Sequence, residues 1–236
     1  MIDLNELFRE ETRVLNEASE VAAQTALSPE AYREMLQRLN RHYQRLMRET
    51  WRLISRSDRA ERELNRVNEQ LNQLASELEY KATHDPLTTV WNRSAIIQRI
   101  TRTLQSGPAS LILLDIDYFK KINDDHGHPV GDKVICELVS RIQSSIPDFA
   151  SIGRVGGEEF TILLPGLFMA DAVKVAGAIH TSLNAAPLAA LPGRLVTTSL
   201  GVSWGKPGSD FETLYSTADA ALYDAKHHGR NRVFFR

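Results

Sequence analysis

Two adjacent carboxylates, Glu158 and Glu159, follow a pair of glycines within residues 154–160. Short apolar runs flank this stretch on both sides, so the pattern predicts a tight β-hairpin with the acids at its tip. We expect the glycines to supply the positive φ angles of such a turn and to allow close approach of another group. Adjacent carboxylates repel each other unless a cation compensates, and such oxygen ligands suit Mg²⁺. Taken alone, the motif also fits a solvated turn with two exposed acids.

A second acidic motif ends an apolar run. Residues 111–114 are all Leu or Ile, and Asp115, Ile116 and Asp117 follow them, which is typical of a buried strand with acids at its end. Such acids lie at the edge of a sheet, where ligand sites often form. If this strand neighbours the hairpin, Asp115 and Glu158 can share one metal ion. In nucleotidyl transfer, a metal held in this way neutralises charge and activates the nucleophile.

Four separated motifs together resemble the GGDEF family of diguanylate cyclases. They are residues 115–132, residues 154–160 in a variant with Glu158 before Glu159, residues 218–233, and a weaker match at residues 84–88 with Asn92 and Arg93. The resemblance covers His84 to Arg236, and four motifs in the family's order are far more specific than one. The N-terminal third resembles the helical stalk of SiaD-type cyclases.

Members of this family condense two GTP molecules into cyclic di-GMP and release two pyrophosphates, with two subunits facing each other. The resemblance therefore implies a nucleotidyltransferase that uses Mg²⁺, with Mn²⁺ as an alternative. By motif position, the side chains of Asp115 and Glu158 and the carbonyl of Ile116 would bind the metal ion. Glu158 and Glu159 would be the catalytic carboxylates, and Glu159 would assist the second ion or the attacking hydroxyl.

The same resemblance implies how GTP is bound. Asn123 and Asp132 would hydrogen-bond the guanine, since Asp accepts while Asn both donates and accepts. The phosphates would bind the backbone N–H groups of Tyr118, Phe119 and Lys120 at a helix start. They would also bind Lys226 and Arg230, two cations on one helix face. Taken singly, these residues are also typical of turns and helix ends. We prefer the joint interpretation because the separate motifs indicate one chemistry.

The chain departs from the family pattern in two places. Many members carry an Arg-x-x-Asp motif that binds product and ends five residues before the glycine pair, but residues 147–150 are Pro-Asp-Phe-Ala. We therefore expect weak product inhibition through that site. The Gly-Leu that usually follows Leu87-Thr88 is Thr89-Val90, which we expect to shape a turn without catalytic consequence.

Composition narrows the function classes. The chain has 236 residues, of which 42% are hydrophobic, enough for one domain with an appendage. A net charge of −2 gives no indication of a nucleic-acid partner. The single Cys136, the acidic N-terminus and the lack of an apolar run of about 20 residues indicate a cytoplasmic protein without disulfides, signal peptide or membrane span. We expect Cys136 to pack on an apolar helix face.

An N-terminal helical stalk, predicted for residues 1–82, must position the catalytic domain. From Tyr32 to Lys81, the core positions of a heptad pattern recur at alternating spacings of four and three without Gly or Pro, which predicts a coiled coil with a weak centre at Thr50 and Ser57. Ser28 and Pro29 predict the start of this helix. A preceding amphipathic helix is predicted from Ile2, Leu4, Leu7, Phe8, Val14, Leu15, Ala18, Val21 and Ala22. The stalk is therefore predicted to begin with a helical hairpin.

The upstream half of the long helix has a wider apolar face than a two-stranded seam needs, with Met35, Met47, Trp51 and Ile54 beside the seam. Two explanations remain open. Either the helical hairpin covers this face in a constitutive homodimer, or a separate regulatory protein binds it and fixes an active dimer or higher homo-oligomer. In both, the stalk sets the relative rotation of the two catalytic domains.

The catalytic domain is predicted for residues 83–236. Strands are predicted at residues 111–116, 150–155, 160–164, 195–203 and 231–235, with helices near residues 94–105, 130–145, 168–184 and 211–227. A hairpin among alternating strands and helices predicts an α+β fold with a mixed, mainly antiparallel sheet. The family fold, a cyclase-like palm with a ferredoxin-like core, agrees with this pattern.

Three functions compete: an active cyclase, an inactive GGDEF module that binds GTP or cyclic di-GMP, and a coiled-coil adaptor with an inert C-terminal domain. The intact set of Asp115, Glu158, Glu159, Lys226 and Arg230 favours the active enzyme. The missing Arg-x-x-Asp motif counts against a product receptor that uses that site.

Overall fold

The computed structural model describes residues 8–24 and 28–236. The chain divides into two compact units, Met1–Ala75 and Ser76–Arg236. Ile2, Leu4 and Leu7, assigned by sequence to the first amphipathic helix, lie outside the described residues. Within the described parts of the chain, none of the helices combines the length and apolar character needed to cross a lipid bilayer.

Two helices, α1 (Arg9–Ala23) and α2 (Pro29–Thr83), form the N-terminal part of the described chain. The Oγ of Ser28 accepts a hydrogen bond from the N–H of Ala31 at 3.2 Å and caps the start of α2. A side chain at this position satisfies one of the N–H groups that the first turn leaves unpaired. The predicted helix start is therefore confirmed.

Ion pairs join α1 and α2 in antiparallel directions. Glu17 lies 2.6 Å from Arg38, and Glu10 lies 3.7 Å from Arg45, so residues later in α1 meet residues earlier in α2. Val14 of α1 is buried. Through these contacts, α1 and α2 pack against each other in antiparallel directions.

Most apolar side chains of the predicted seam are exposed along α2. None of the 55 residues of α2 is buried. The exposed seam residues include Leu36, Tyr43, Leu53, Leu64, Val67, Leu71, Leu74 and Leu78, and Met47, Trp51 and Ile54 are exposed beside them. Since helices in water gain most of their stability from packing an apolar face, this one needs a partner surface.

Within residues 76–236, six strands form one mixed sheet in the order β1-β3-β4-β2-β5-β6. The strands are β1 (Trp91–Asn92), β2 (Ala109–Ile116), β3 (Ser151–Arg154), β4 (Glu159–Pro165), β5 (Thr198–Gly205) and β6 (Val233–Phe235). The pairs β2–β4, β2–β5 and β3–β4 are antiparallel, while β1–β3 and β5–β6 are parallel. The predicted α+β fold with a mainly antiparallel sheet is confirmed.

Helices cover both faces of this sheet. They are α3 (Arg93–Ser106), α4 (Phe119–His126), α5 (His128–Gln143), α6 (Met169–Asn184) and α7 (Phe211–His227). One core cluster joins α4, α5 and α6 to side chains such as Ile112 and Leu114, and two smaller clusters join α3 and α7 to Leu111 and Leu113. All eight residues of β2 are therefore buried, which explains its continuous apolar run.

The sequence did not indicate the two-residue β1, and of the short α4 it indicated only a helix start near residues 118–120, because neither element is long enough to show a hydrophobic period. Strand β5 begins at Thr198 and not at the predicted residue 195, because ends of elements are the part of a sequence-based prediction that is least accurate. The prediction for Cys136 was wrong, because this residue is exposed. The buried positions of α5 include Val134, Ile135 and Leu138, and Cys136 falls outside their face.

Two glycines offer a matched test of this packing. A Cβ on Gly201 of β5 would collide with backbone atoms of Ala218 and Leu222 in α7, whereas a Cβ on Gly177 in α6 would meet nothing within 4 Å. We expect Gly201→Ala to lower the free energy of unfolding by about 1–3 kcal/mol. Gly177→Ala should raise it by about 0.5–1 kcal/mol, because Ala is the better helix former. Urea denaturation measures both, and equal effects would contradict this packing of α7 on β5.

Candidate active site

The tip of the β3–β4 hairpin and the end of β2 meet at one edge of the sheet. The register places Asp115 of β2 opposite Glu159 of β4. The N–H of Ile116 donates to the carbonyl of Glu158 at 3.3 Å. The strand that ends in acids does neighbour the hairpin, which was the condition for Asp115 and Glu158 to act on one ion.

The turn of the hairpin differs from the expected geometry. The N–H groups of Val155 and Gly156 both donate to the carbonyl of Glu159, at 2.9 Å and 3.3 Å. Neither Gly156 nor Gly157 has a positive φ, so that part of the prediction was wrong. Gly156 is needed for space instead, because a Cβ there would collide with the Glu159 carboxylate.

Hydrogen bonds from Arg154 join the hairpin tip to the motif of residues 84–88. Its guanidinium donates to the carbonyl of Gly157 at 2.7 Å and to Asp85 Oδ1 at 3.1 Å. Asp85 Oδ1 also accepts from the N–H and the hydroxyl of Thr88, at 2.9 Å and 2.6 Å. Burial alone would raise the pKa of Asp85, but the bonds from Thr88 and Arg154 outweigh it and lower that pKa.

The turn around Asp85 is strained at one residue. Thr89 has a φ of 59°, in the left-handed region that β-branched residues rarely adopt. Its N–H donates to the carbonyl of Asp85 at 2.9 Å, and the N–H of Asp85 donates to the carbonyl of Val90 at 2.8 Å. These two bonds hold Thr89 in the conformation for which the family pattern uses Gly.

The carboxylates at the sheet edge carry more negative charge than one lysine compensates. Asp115 is only 5% exposed, and its Oδ2 lies 2.8 Å from Lys226 Nζ. Burial raises the pKa of Asp115, and the Lys226 ammonium offsets only part of this rise. Burial also raises the pKa of Glu158, with repulsion from Asp115 as the next cause. Both carboxylates would therefore gain from a further cation.

The donor set fits a hard divalent cation that is completed by other oxygen ligands. Among residues 8–24 and 28–236, no cluster of three or more His, Cys, Asp or Glu side chains could hold a metal ion by itself. Asp115 and Glu158 bring two carboxylates together, and the Ile116 carbonyl lies next in sequence to Asp115. One or two carboxylates with phosphate and water oxygens is the usual environment of Mg²⁺.

A corner suited to phosphate forms where β2 enters α4. The first N–H groups of a helix have no partner within it, and they favour anions. The guanidinium of Arg230 lies 4.6 Å from the ring centre of Tyr118 and donates to its hydroxyl at 3.2 Å. Because α7 ends at His227, the helix face predicted to hold both Lys226 and Arg230 does not extend to Arg230. Arg230 lies in the following turn, with a φ of 60°.

Asn123 and Asp132 are brought near each other by the contact between α4 and α5. Asn123 Oδ1 is buried and has no hydrogen-bond partner among the described residues. A Cβ on Gly131 of α5 would collide with this oxygen, so the absence of a side chain there allows Asn123 its position. Asp132 follows immediately and is exposed. The pair offers a free amide and a free carboxylate to a ligand.

The sequence gave no role to Asp117, which the structure places at the centre of a polar network. Its Oδ1 accepts from the hydroxyl of Ser199 at 2.8 Å. Its Oδ2 accepts from the hydroxyl of Thr197 at 2.9 Å and from the N–H of Asn231 at 3.0 Å. The acid at the second position after Asp115 was the available signal, but its partners are distant in sequence.

Comparison with known proteins decides the family. The family described as "Diguanylate cyclase, GGDEF domain" matches residues 82–232, well over half of the chain. The chain belongs to the GGDEF family of diguanylate cyclases. The resemblance inferred from the four motifs is thereby confirmed.

The chain is similar to individual relatives in sequence and in structure. The response regulator PleD of Caulobacter vibrioides is 38% identical over 163 residues, which is 64% of this chain and 36% of PleD. The chain thus spans about a third of the length of that relative. The coiled coil and GGDEF domain of DgcB from Caulobacter crescentus, solved in complex with c-di-GMP, is 30% identical with a TM-score of 0.68, covering 78% of this chain and 99% of that one.

A further solved structure matches nearly the whole chain. Diguanylate cyclase SiaD, in complex with its activator SiaC from Pseudomonas aeruginosa, is 27% identical with a TM-score of 0.63. The match covers 99% of this chain and 88% of SiaD. It therefore includes the N-terminal helices as well as the GGDEF domain.

The raised pKa of Glu158 predicts how stability depends on pH. Because the folded pKa lies above the ordinary value of 4.5, the folded chain binds this proton more tightly than the unfolded chain. Ionisation of Glu158 therefore lowers the free energy of unfolding as the pH rises through the folded pKa. Without divalent cations, we expect Glu158→Gln to be more stable than wild type at about pH 7.5 and little different near pH 4.

Urea denaturation at the two pH values makes this comparison. Asp148→Asn, which changes an exposed acid, is the control and should show no comparable gain. A Glu158→Gln gain that is the same at both pH values would show that the carboxylate is not held at an energetic disadvantage.

Proposed function

We propose that this chain is an active diguanylate cyclase that condenses two GTP molecules into cyclic di-GMP and releases two pyrophosphates. The observation that carries the proposal is the buried Asp115, paired with Lys226 and adjacent to Glu158 at the entrance of α4. Two repelling carboxylates beside a phosphate-binding helix start suit nucleotidyl transfer and are costly in an inert module. Membership of the diguanylate cyclase family and the c-di-GMP complex of DgcB support the same activity.

In this proposal, the side chains of Asp115 and Glu158 and the carbonyl of Ile116 hold Mg²⁺, or alternatively Mn²⁺. A bound divalent ion would neutralise phosphate charge and favour ionisation of the attacking 3′-hydroxyl. Glu159, exposed at the hairpin tip, adds negative charge and orients that hydroxyl. Lys226 then exchanges its pairing with Asp115 for one with phosphate.

The remaining candidate residues bind GTP. The backbone N–H groups of Tyr118, Phe119 and Lys120 receive the phosphates at the start of α4, together with the cations of Lys226 and Arg230. Asn123 and Asp132 hydrogen-bond the guanine. Because Asn123 Oδ1 is buried in the space that the missing side chain of Gly131 leaves, the amide nitrogen of Asn123 is the atom left to donate to the base.

We also propose that residues 1–82 form a regulatory stalk and that residues 83–236 form the catalytic domain. Each subunit holds one GTP, so synthesis requires two catalytic domains to face each other. The exposed seam from Leu64 to Leu78 supports pairing with a second copy of the chain. The likeness to SiaD, solved with its activator SiaC, supports a regulatory protein partner on the N-terminal helices.

The proposed activity is tested by incubating purified protein with GTP and Mg²⁺ and separating the products by chromatography. We expect cyclic di-GMP from the wild type, and a loss of about 100-fold or more for Asp115→Asn and Glu158→Ala, since each removes a group that acts on the ion. Asp148→Asn is the control and should retain activity. GTP binding without product in the wild type would favour the alternative of an inactive regulatory module. Near wild-type turnover in Glu158→Ala would contradict the site.

The contact between Gly131 and Asn123 predicts a specific effect on base recognition. Gly131→Ala should displace Asn123, lose about 1–3 kcal/mol of GTP binding and reduce the preference for GTP over ATP. Asp132→Ala should act in the same direction, because it removes an acceptor for the base edge. Competition between the two nucleotides measures the preference, with Gly107→Ala as a control at a position where a Cβ meets nothing within 4 Å. Unchanged competition would contradict the assignment of both residues.

Two substitutions on α2 separate dimerisation from partner binding. Leu71→Asp places a charge on the seam, so it should convert the dimer to monomers and abolish synthesis. Trp51→Asp changes the wider apolar face, so it should leave the purified dimer and its basal activity unchanged while reducing cyclic di-GMP in the cells that naturally carry the protein. Light scattering, turnover and cellular nucleotide levels give the readouts. If Trp51→Asp has no cellular effect, the hairpin alone accounts for this face and the partner proposal fails.

A further inference from the structure

Asp117 is a buried carboxylate for which the proposed reaction has no direct use. It is 5% exposed, and its two oxygens accept from the two hydroxyls and the one backbone N–H described above, all of them neutral donors. Its own N–H donates to the carbonyl of Thr197 at 2.9 Å. A buried charge held in this way fixes the groups around it, because each donor would lose a strong acceptor if it moved.

Three residues near Asp117 have unusual backbone conformations. Tyr118, which follows it, has a φ of 58°, while Arg230 and Asn231 have φ values of 60° and 45°. Residues other than glycine are uncommon in this region, and although asparagine is tolerated there, Tyr118 and Arg230 adopt it where their surroundings enforce it. The bond from the N–H of Asn231 to Asp117 Oδ2 joins the two strained segments across 114 positions of sequence.

Asn231 is held from its other side as well. Its side-chain oxygen accepts from Asn184 Nδ2 at 3.0 Å and lies 2.9 Å from His180 Nε2. The N–H of Arg230 donates to the carbonyl of Ala225, the last turn of α7, at 2.9 Å. The backbone that carries the Arg230 side chain is thus fixed on one side by α6 and α7 and on the other by Asp117.

We propose that Asp117 is a positioning residue for the triphosphate. By accepting from Asn231 and ordering Tyr118, it sets where the Arg230 guanidinium lies against the Tyr118 ring at the start of α4. Asp117 touches neither phosphate nor base, and acts through Arg230. This inference rests on the proposed function, in which Arg230 binds the phosphates of GTP. The corner where Arg230 and Tyr118 meet would then discriminate nucleoside triphosphate from diphosphate.

The test measures the affinity for 3′-deoxy-GTP, which lacks the attacking hydroxyl, and for 3′-deoxy-GDP by calorimetry in Mg²⁺. The ratio of the two affinities reports on the terminal phosphate alone. Arg230→Ala should lower this ratio about 10-fold. Asp117→Ala should lower it by a similar factor, and adding it to Arg230→Ala should lower it no further, because both act on one interaction.

Two further variants test whether Asp117 acts through its position, through its charge or only through the general stability of the fold. Asp117→Asn keeps an oxygen that accepts from Asn231, so the ratio should stay within about 3-fold of wild type. Thr197→Val removes one donor to the same carboxylate without touching Asn231, and should also leave the ratio nearly unchanged. If Asp117→Ala does not fold, Asp117→Ser replaces it, since its hydroxyl is too short to reach Asn231.

The outcomes distinguish this inference from the proposed function. A wild type that binds neither nucleotide, or an Arg230→Ala variant with an unchanged ratio, would overturn the phosphate role of Arg230 and this inference with it. A normal wild type and a sensitive Arg230→Ala variant, combined with an unchanged ratio in Asp117→Ala, would overturn this inference alone. This inference alone would also be overturned if Asp117→Asn lowered the affinity ratio as much as Asp117→Ala, because the charge of Asp117, and not its position, would then determine the ratio.

Discussion

The antiparallel pairing of β2 with both β4 and β5 is the constraint on which the catalytic unit depends. Because β2 is buried on both faces, a slip of one residue in its register would move every side chain of β2 to the opposite face of the sheet. The same register places Asp115 opposite Glu159 on one side and opposite Ser199 on the other. The packing of apolar residues thus fixes the register of β2, and this register determines where the carboxylates and their polar partners meet.

The site brings together negative charges that lower the stability of the fold. Burial raises the pKa of Asp115 and of Glu158, so the ionised forms of both are held at a disadvantage. Lys226 pairs with Asp115 but remains one-third exposed, which leaves it able to turn toward a phosphate. The surrounding core of large, fully buried side chains provides the stability that offsets this repulsion. The cost at the sheet edge is therefore consistent with a site that is completed by a cation and an anionic substrate.

Much of the fold could be predicted from the sequence, because it depends on local patterns. Apolar runs and turn residues located the hairpin and the long strands, and the Ser28 cap with the spacing of apolar residues located α2. The φ angles of Gly156 and Gly157 could not be predicted, since Gly156 makes room for the Glu159 carboxylate and neither glycine adopts a left-handed conformation. Asp117 was missed for a different reason: its partners Thr197 and Asn231 lie 80 and 114 positions away, and only the folded sheet brings them together.

The helical unit and the catalytic unit are each incomplete in a single chain, for unrelated physical reasons. Along α2, apolar side chains such as Leu71 and Leu74 are more than half exposed, and only another surface can bury them. At the sheet edge, the proposed joining of two GTP molecules into a ring of two nucleotides would need two bound substrates, whereas one subunit would offer one set of phosphate and base contacts. In this proposal, a second copy of the chain would satisfy both needs at once, so a change that weakens the seam would also remove the second half of the reaction.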